Sequence, residues 1–154
     1  MAVQIAIDDA ELRRTVAKIR ALGELASKRQ RKGILRKGAK ILRDAAKANV
    51  PIAPKPSKNR AGELIQPGFT PDAIGIKDLR KSPDLFVGVV KRGSQLAYWA
   101  TWLEFGAANV DGSKREGFAF MRRALAATKP QVVAQIIKDA DALLKRIVKK
   151  VQTR

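Results

Sequence analysis

The sequence predicts an α+β fold: a small antiparallel β-sheet packed against several helices, with long helices toward both ends of the chain. Three observations carry this. Two stretches repeat apolar residues every three to four positions, the spacing of one helix face. Between them lie two short β-branched runs separated by a turn. The chain has 154 residues, the length of one ordinary domain, and no composition break divides it, so a single domain over residues 1–154 is expected.

Asp8 to Ala26 reads as a first helix, with Leu12, Val16, Ile19 and Leu22 on one face and acidic residues at its positive N-terminal end. A second helix is expected from about Gln30 to Asn49. Its stripe runs through Ile34/Leu35, Gly38, Ile41/Leu42 and Ala45/Ala46, and Gly38 would let another element approach closely. Pro51 stops it by forcing Val50 toward an extended conformation. The residues between the apolar ones are strongly basic: Lys28, Arg29, Arg31, Lys32, Arg36, Lys37, Lys40 and Arg43. Such a face is either solvated or meets an acidic surface, in DNA or in a neighbouring protein.

From Pro51 to Asp72 the periodicity disappears and five of the seven prolines occur, which predicts a mobile loop or inter-subunit arm. Residues 73–77 and 85–90 then form the expected hairpin, with Gly88 marking a bulge or a close approach. Tyr98 to Phe105 suits a short helix capped by Gly106, and 107–116 a flexible loop. Another short helix is expected from Gly117 to Ala127, with Phe118, Met121 and Leu125 inward. A final helix should start at Thr128, where Thr128 and Gln131 form a capping box around Pro130.

Composition narrows the function. The chain has no cysteine and no histidine, which removes thiolate chemistry, the commonest general base and the commonest metal ligand. No paired carboxylates, metal-ligand set or phosphate-cradling glycine motif is present, so no enzyme, metal or cofactor is expected. No apolar run is long enough to span a bilayer, and Asp8 and Asp9 follow Met1–Ile7 too soon for a signal peptide. Thirty-two Lys and Arg against fourteen Asp and Glu give a net charge of +18, a field that favours an acidic partner. Both tryptophans, the tyrosine and three of five phenylalanines fall between Tyr98 and Phe120, where the fold or an assembly contact is anchored. Glu104 sits among Trp102, Leu103 and Phe105. It is either a partly exposed residue late in a helix or the partner of Arg122 or Arg123, within or between subunits.

The order of these elements resembles the neck and tail-completion proteins of long-tailed bacteriophages, small head–tail joining components often described as minor tail proteins. The resemblance rests on a helix ending in Asn49-Val50-Pro51, then Tyr98…Leu103-Glu104-Phe105-Gly106, then Phe120-Met121-Arg122-Arg123-Ala124. Ala107 stands where the family motif has threonine, and Ala119 and Arg123 stand at its prolines. The resemblance implies a structural virion protein, assembled in the host cytoplasm, with no catalytic site. It implies a homo-oligomeric ring, hexameric in the tail-terminating branch, between the head–tail connector and the tail tube or its terminator. Genomic DNA would pass through the lumen with at most non-specific contact. Tyr98, Trp102, Glu104, Phe105, Gly106, Phe120, Met121 and Arg122 are then the assembly and fold signature. For the basic helix, protein partners are favoured, because a conduit that gripped DNA would hinder its passage. The competing reading is a free-standing basic nucleic-acid-binding protein.

Overall fold

Ser27 starts the first described helix. Its hydroxyl accepts from the Gln30 N–H at 3.3 Å, and its own N–H donates to the Gln30 side chain at 2.7 Å. This capping box satisfies two donors that a helix start leaves open, and it carries the helix two residues beyond the expected start. The computed structural model describes residues 26–58, 62, 64–90, 99–108 and 111–152, with side chains to residue 149. The helix expected from Asp8 to Ala26 lies outside these residues except for Ala26, and Tyr98 lies outside them too.

In chain order the elements are α1 Lys28–Asn49, β1 Ser57–Lys58, β2 Leu64–Ile65, α2 Phe69–Ala73, β3 Ile74–Asp78, β4 Leu85–Val89, α3 Ala100–Phe105, β5 Ala107–Ala108, β6 Lys114–Arg115 and α4 Phe120–Gln152. The fold is α+β, as expected, and among the described residues its β structure forms three separate two-stranded antiparallel ribbons rather than one sheet. The β3–β4 ribbon pairs Ile74 with Val89 through to Asp78 with Leu85. Gly88 is opposite Gly75 with no bulge. Its missing side chain makes room for the Phe86 ring, which would lie 2.7 Å from a Cβ there.

α1 and α4 run antiparallel. Ala46 packs with Phe120 and Ala124 near the start of α4, while Ala26 and Ile34 pack with Ala140, Leu143 and Ile147 near its other end. Midway, Ile136 and Val132 nest over Gly38, where a Cβ would stand 3.1–3.2 Å from their carbons. The close approach expected at Gly38 is made. The base of the β3–β4 ribbon lies on the C-terminal half of α1, with Ile74 and Val89 joining Val50 and Ala46.

Two expected elements merge. Instead of one helix ending near Ala127 and another starting at Thr128, α4 runs unbroken through Pro130. The Thr128 hydroxyl does not cap; it donates to the Ala124 carbonyl at 2.7 Å, inside the helix. Pro130 has no N–H to offer the carbonyl four residues earlier, which costs an exposed helix about 3 kcal/mol. Packing along α1 on both sides of the proline offsets that cost. The segments expected as loops also carry structure: 51–72 contains the β1–β2 ribbon and α2, and 107–116 contains the β5–β6 ribbon.

Candidate functional site

The signature segment is inverted with respect to polarity. Trp102 and Phe105 are each 53% exposed and Phe118 is 47% exposed, whereas the Glu104 residue is 5% exposed. On a helix as short as α3, Ala100 and Glu104 share the inward face and Trp102 and Phe105 take the outer one. The expectation that Phe118 points inward is corrected. It precedes α4, and the fully buried ring is Phe120 at 1% exposure.

Glu104 is buried because the start of α4 needs it. Its carboxylate accepts from the Met121 N–H at 2.8 Å, the Arg122 N–H at 3.2 Å and the Arg122 Nε–H at 3.0 Å. The first turn of a helix exposes N–H groups without intrahelical partners and carries a partial positive charge. Glu104 therefore caps α4 from another element. Arg122 completes the loop by donating to the Glu104 carbonyl at 2.9 Å, and its guanidinium lies 5.3 Å from the Phe105 ring centre. Of the two expected pairings, the structure forms the one with Arg122, within the subunit.

Backbone contacts lock the same joint. The Phe118 N–H donates to the Leu103 carbonyl at 2.6 Å, and the Gly106 N–H to the Trp102 carbonyl at 2.7 Å. Gly106 has φ 84 and ψ 179, and a Cβ there would meet the Arg115 carbonyl oxygen at 2.2 Å. A Cβ on Gly117 would meet the Glu104 carbonyl at 2.5 Å. Only glycine allows these two segments to close this far. Ala119, at the start of α4, has φ 49. Proline is fixed near −65°, so the residue found here is one that this backbone tolerates better than the family's proline.

Around the joint runs an apolar groove. Ile52, Phe69, Trp99, Leu103 and Phe118 line one part of it, with Pro51 and Pro54 as a wall. Trp102 and the β5–β6 ribbon line its continuation. Trp99 is fixed by an N–H bond to the Thr70 hydroxyl at 2.6 Å and by the Phe69 ring 5.5 Å away.

The basic residues of α1 do not form one solvated face. Lys28 donates to the Arg80 carbonyl, and Lys32 to the Leu79 carbonyl at 2.8 Å. Arg36 pairs with Asp78, which also lies 3.6 Å from Lys32. Lys37 pairs with Asp139 of α4 at 2.7 Å, and Arg43 with its neighbour Asp44 at 2.6 Å. Arg29 and Lys40 are exposed; Arg31 is half-buried, and its buried Nε has no hydrogen-bond partner. Burial raises the Asp139 pKa, but bonds from Lys37 and Gln135 outweigh this and leave it below its ordinary value.

Among the described residues no cluster of three or more His, Cys, Asp or Glu could hold a metal, and no helix is long and apolar enough to cross a membrane. The carboxylate at the centre of the joint is consumed by helix capping and one arginine, and the rings around it face outward. This geometry joins α3 to α4 through a buried carboxylate and leaves apolar side chains exposed beside it. The family model described as "Bacteriophage HK97-gp10, putative tail-component" matches residues 13–106. The chain belongs to this HK97-gp10-like family of bacteriophage tail components and is therefore a virion protein. No curated protein and no solved structure matches it.

Proposed function

We propose that the chain is a ring-forming subunit of the head–tail joint, a neck or tail-terminating and completing protein that links the connector to the tail tube around the DNA passage. The observation that carries this reading is where the apolar mass lies. Among the described residues, only Phe120 and Ile74 are large side chains fully buried, and most of the buried core is alanine. Trp102, Phe118 and Ile52 are instead exposed along the groove, and Phe105 and Leu64 are exposed as well. An apolar patch of this kind marks an interaction surface, and aromatics are the residues that interface cores enrich. Burying one such side chain stabilises an interface by about 1.5–3 kcal/mol. In a ring the same patch is covered once per subunit, against a different surface of the next. The segment 51–72, whose residues Pro51 to Pro54 and Gly68 to Pro71 line the groove, then serves as the arm that reaches the neighbour. A hexamer is the favoured stoichiometry, and no catalytic role is assigned.

Native mass spectrometry of the purified protein, alone and with tail tube, tests this. Closed rings are expected for the wild type. The double substitution Trp102→Glu/Phe118→Glu should give monomers that melt within a few degrees of the wild-type subunit, because both rings are exposed. A strict monomer that binds duplex DNA tightly and ignores tail and connector proteins would overturn the proposal in favour of a free-standing nucleic-acid-binding protein.

A further inference from the structure

The antiparallel arrangement gathers cations from three elements at the end of the molecule away from the aromatic groove. The N-terminal part of α1 brings Lys28, Arg29 and Arg31. The tip of the β3–β4 ribbon, tied to α1 by Lys28, Lys32 and Arg36, brings exposed Lys77, Arg80 and Lys81. The far part of α4, packed on Ala26 and Ile34 through Leu143 and Ile147, carries exposed Lys145, Arg146 and Lys149. Among the described residues the acids there are few. Asp78 is already shared by Lys32 and Arg36, Asp84 accepts from the Ser82 hydroxyl, and Asp141 is exposed on α4.

We infer that this composite basic end is a sequence-independent binding surface for the phosphate backbone of duplex DNA. It deepens the proposal of a DNA-surrounding joint and rests on that reading for the source of the DNA. The surface itself lies within one subunit.

Composition favours phosphate over an acidic protein. Lysine supplies about as many of these cations as arginine, and lysine is depleted from protein interfaces. It is a common contact to DNA phosphates. The exposed aromatic of the ribbon, Phe86, folds back over Gly88 and is occupied within its own strand pair. No aromatic on this part of α1 could anchor a protein partner. Nor would such contacts stop passage. Phosphate contacts carry no sequence information, so the energy is even along the duplex and the DNA slides.

The test uses the full chain and a fluorescent duplex of about 30 base pairs, with anisotropy read across a salt series; binding to such a duplex should weaken steeply with salt, by a log–log slope of about −0.9 per phosphate neutralised. Arg29→Ala/Arg80→Ala/Lys81→Ala removes three exposed cations whose side chains make none of the bonds described above; the Arg80 carbonyl that accepts from Lys28 is kept. It should weaken binding at least tenfold at low salt and flatten the slope by about 2–3. Lys55→Ala/Lys58→Ala/Arg115→Ala removes the same charge beside the groove and should change affinity less than twofold. Equal losses in the two variants would overturn the inference, since net charge alone would then account for binding. So would tighter binding of polyglutamate than of DNA, or no DNA binding at all. Ring formation, read separately by native mass, reports on the joint proposal and not on this one.

Discussion

The two ends of the molecule are fastened by different means, α3 to the start of α4 at one and the β3–β4 ribbon to α1 at the other. At the aromatic end, a buried carboxylate makes three directed bonds to the start of α4, and glycine backbones press against each other. At the basic end, alanine and isoleucine pack between helices, while exposed ion pairs and lysine–carbonyl bonds tie the ribbon tip to α1. Buried charge-assisted bonds are short-ranged and geometrically demanding. Exposed pairs contribute about 0–1 kcal/mol and are screened by salt. The aromatic end is thus built to present a surface in one fixed geometry, and the basic end to carry charge that yields to its surroundings.

The largest expected effect comes from removing the carboxylate. Glu104→Ala leaves two helix-start N–H groups and an arginine without their acceptor, and should destabilise the subunit by about 3 kcal/mol. Denaturant unfolding measures this. A change below about 0.5 kcal/mol, the range of an ordinary surface substitution, would mean the joint is no more directed than the basic end. Substitution at the middle of α4 comes next. Pro130→Ala restores a helix N–H and should stabilise by about 1–2 kcal/mol. A loss of stability would instead show that α4 needs the proline ring at this position to pack along α1.

The smallest effect is expected at the Lys37–Asp139 pair between α1 and α4, whose lysine is exposed. The folded-state pKa of Asp139 is lowered from 3.8. The stability this confers is therefore complete above the unfolded value and lost as pH falls through the folded one. Asp139→Asn should cost less than about 1 kcal/mol between pH 5 and 8, and the difference from wild type should shrink below about pH 4. A pH-independent difference would assign the residue a packing role and blur the contrast between the two ends.

Much of this arrangement is legible in the residues. The stripe from Ile34 to Ala46 marks α1, Val50-Pro51 marks its stop, and the β-branched runs mark the β3–β4 ribbon. The chain contains two Ser/Thr-x-x-Gln boxes, however, and local chemistry does not rank them. The one at Thr128 looks stronger because a proline sits in its first turn. The one at Ser27 is the box that caps a helix. The inward place of Glu104 was equally hard to assign, since residues 102–105 present an acid among rings with no hint of which faces in. The start of α4, with N–H donors 17 and 18 residues beyond it, supplies the reason.

The local periodicities, the helix stop, the charge excess and the lack of thiol and imidazole chemistry follow from the residues alone, because each is a property of neighbouring residues or of composition. Three further features arise from packing between distant parts of the chain. Glu104 turns in and the rings turn out, because the open N–H groups of α4 attract a carboxylate more than the core attracts another ring. α4 continues through Pro130, because α1 packs against both halves. The basic residues of α1 are divided between ribbon and α4 and joined by cations from both, because antiparallel packing brings distant parts of the chain to one end.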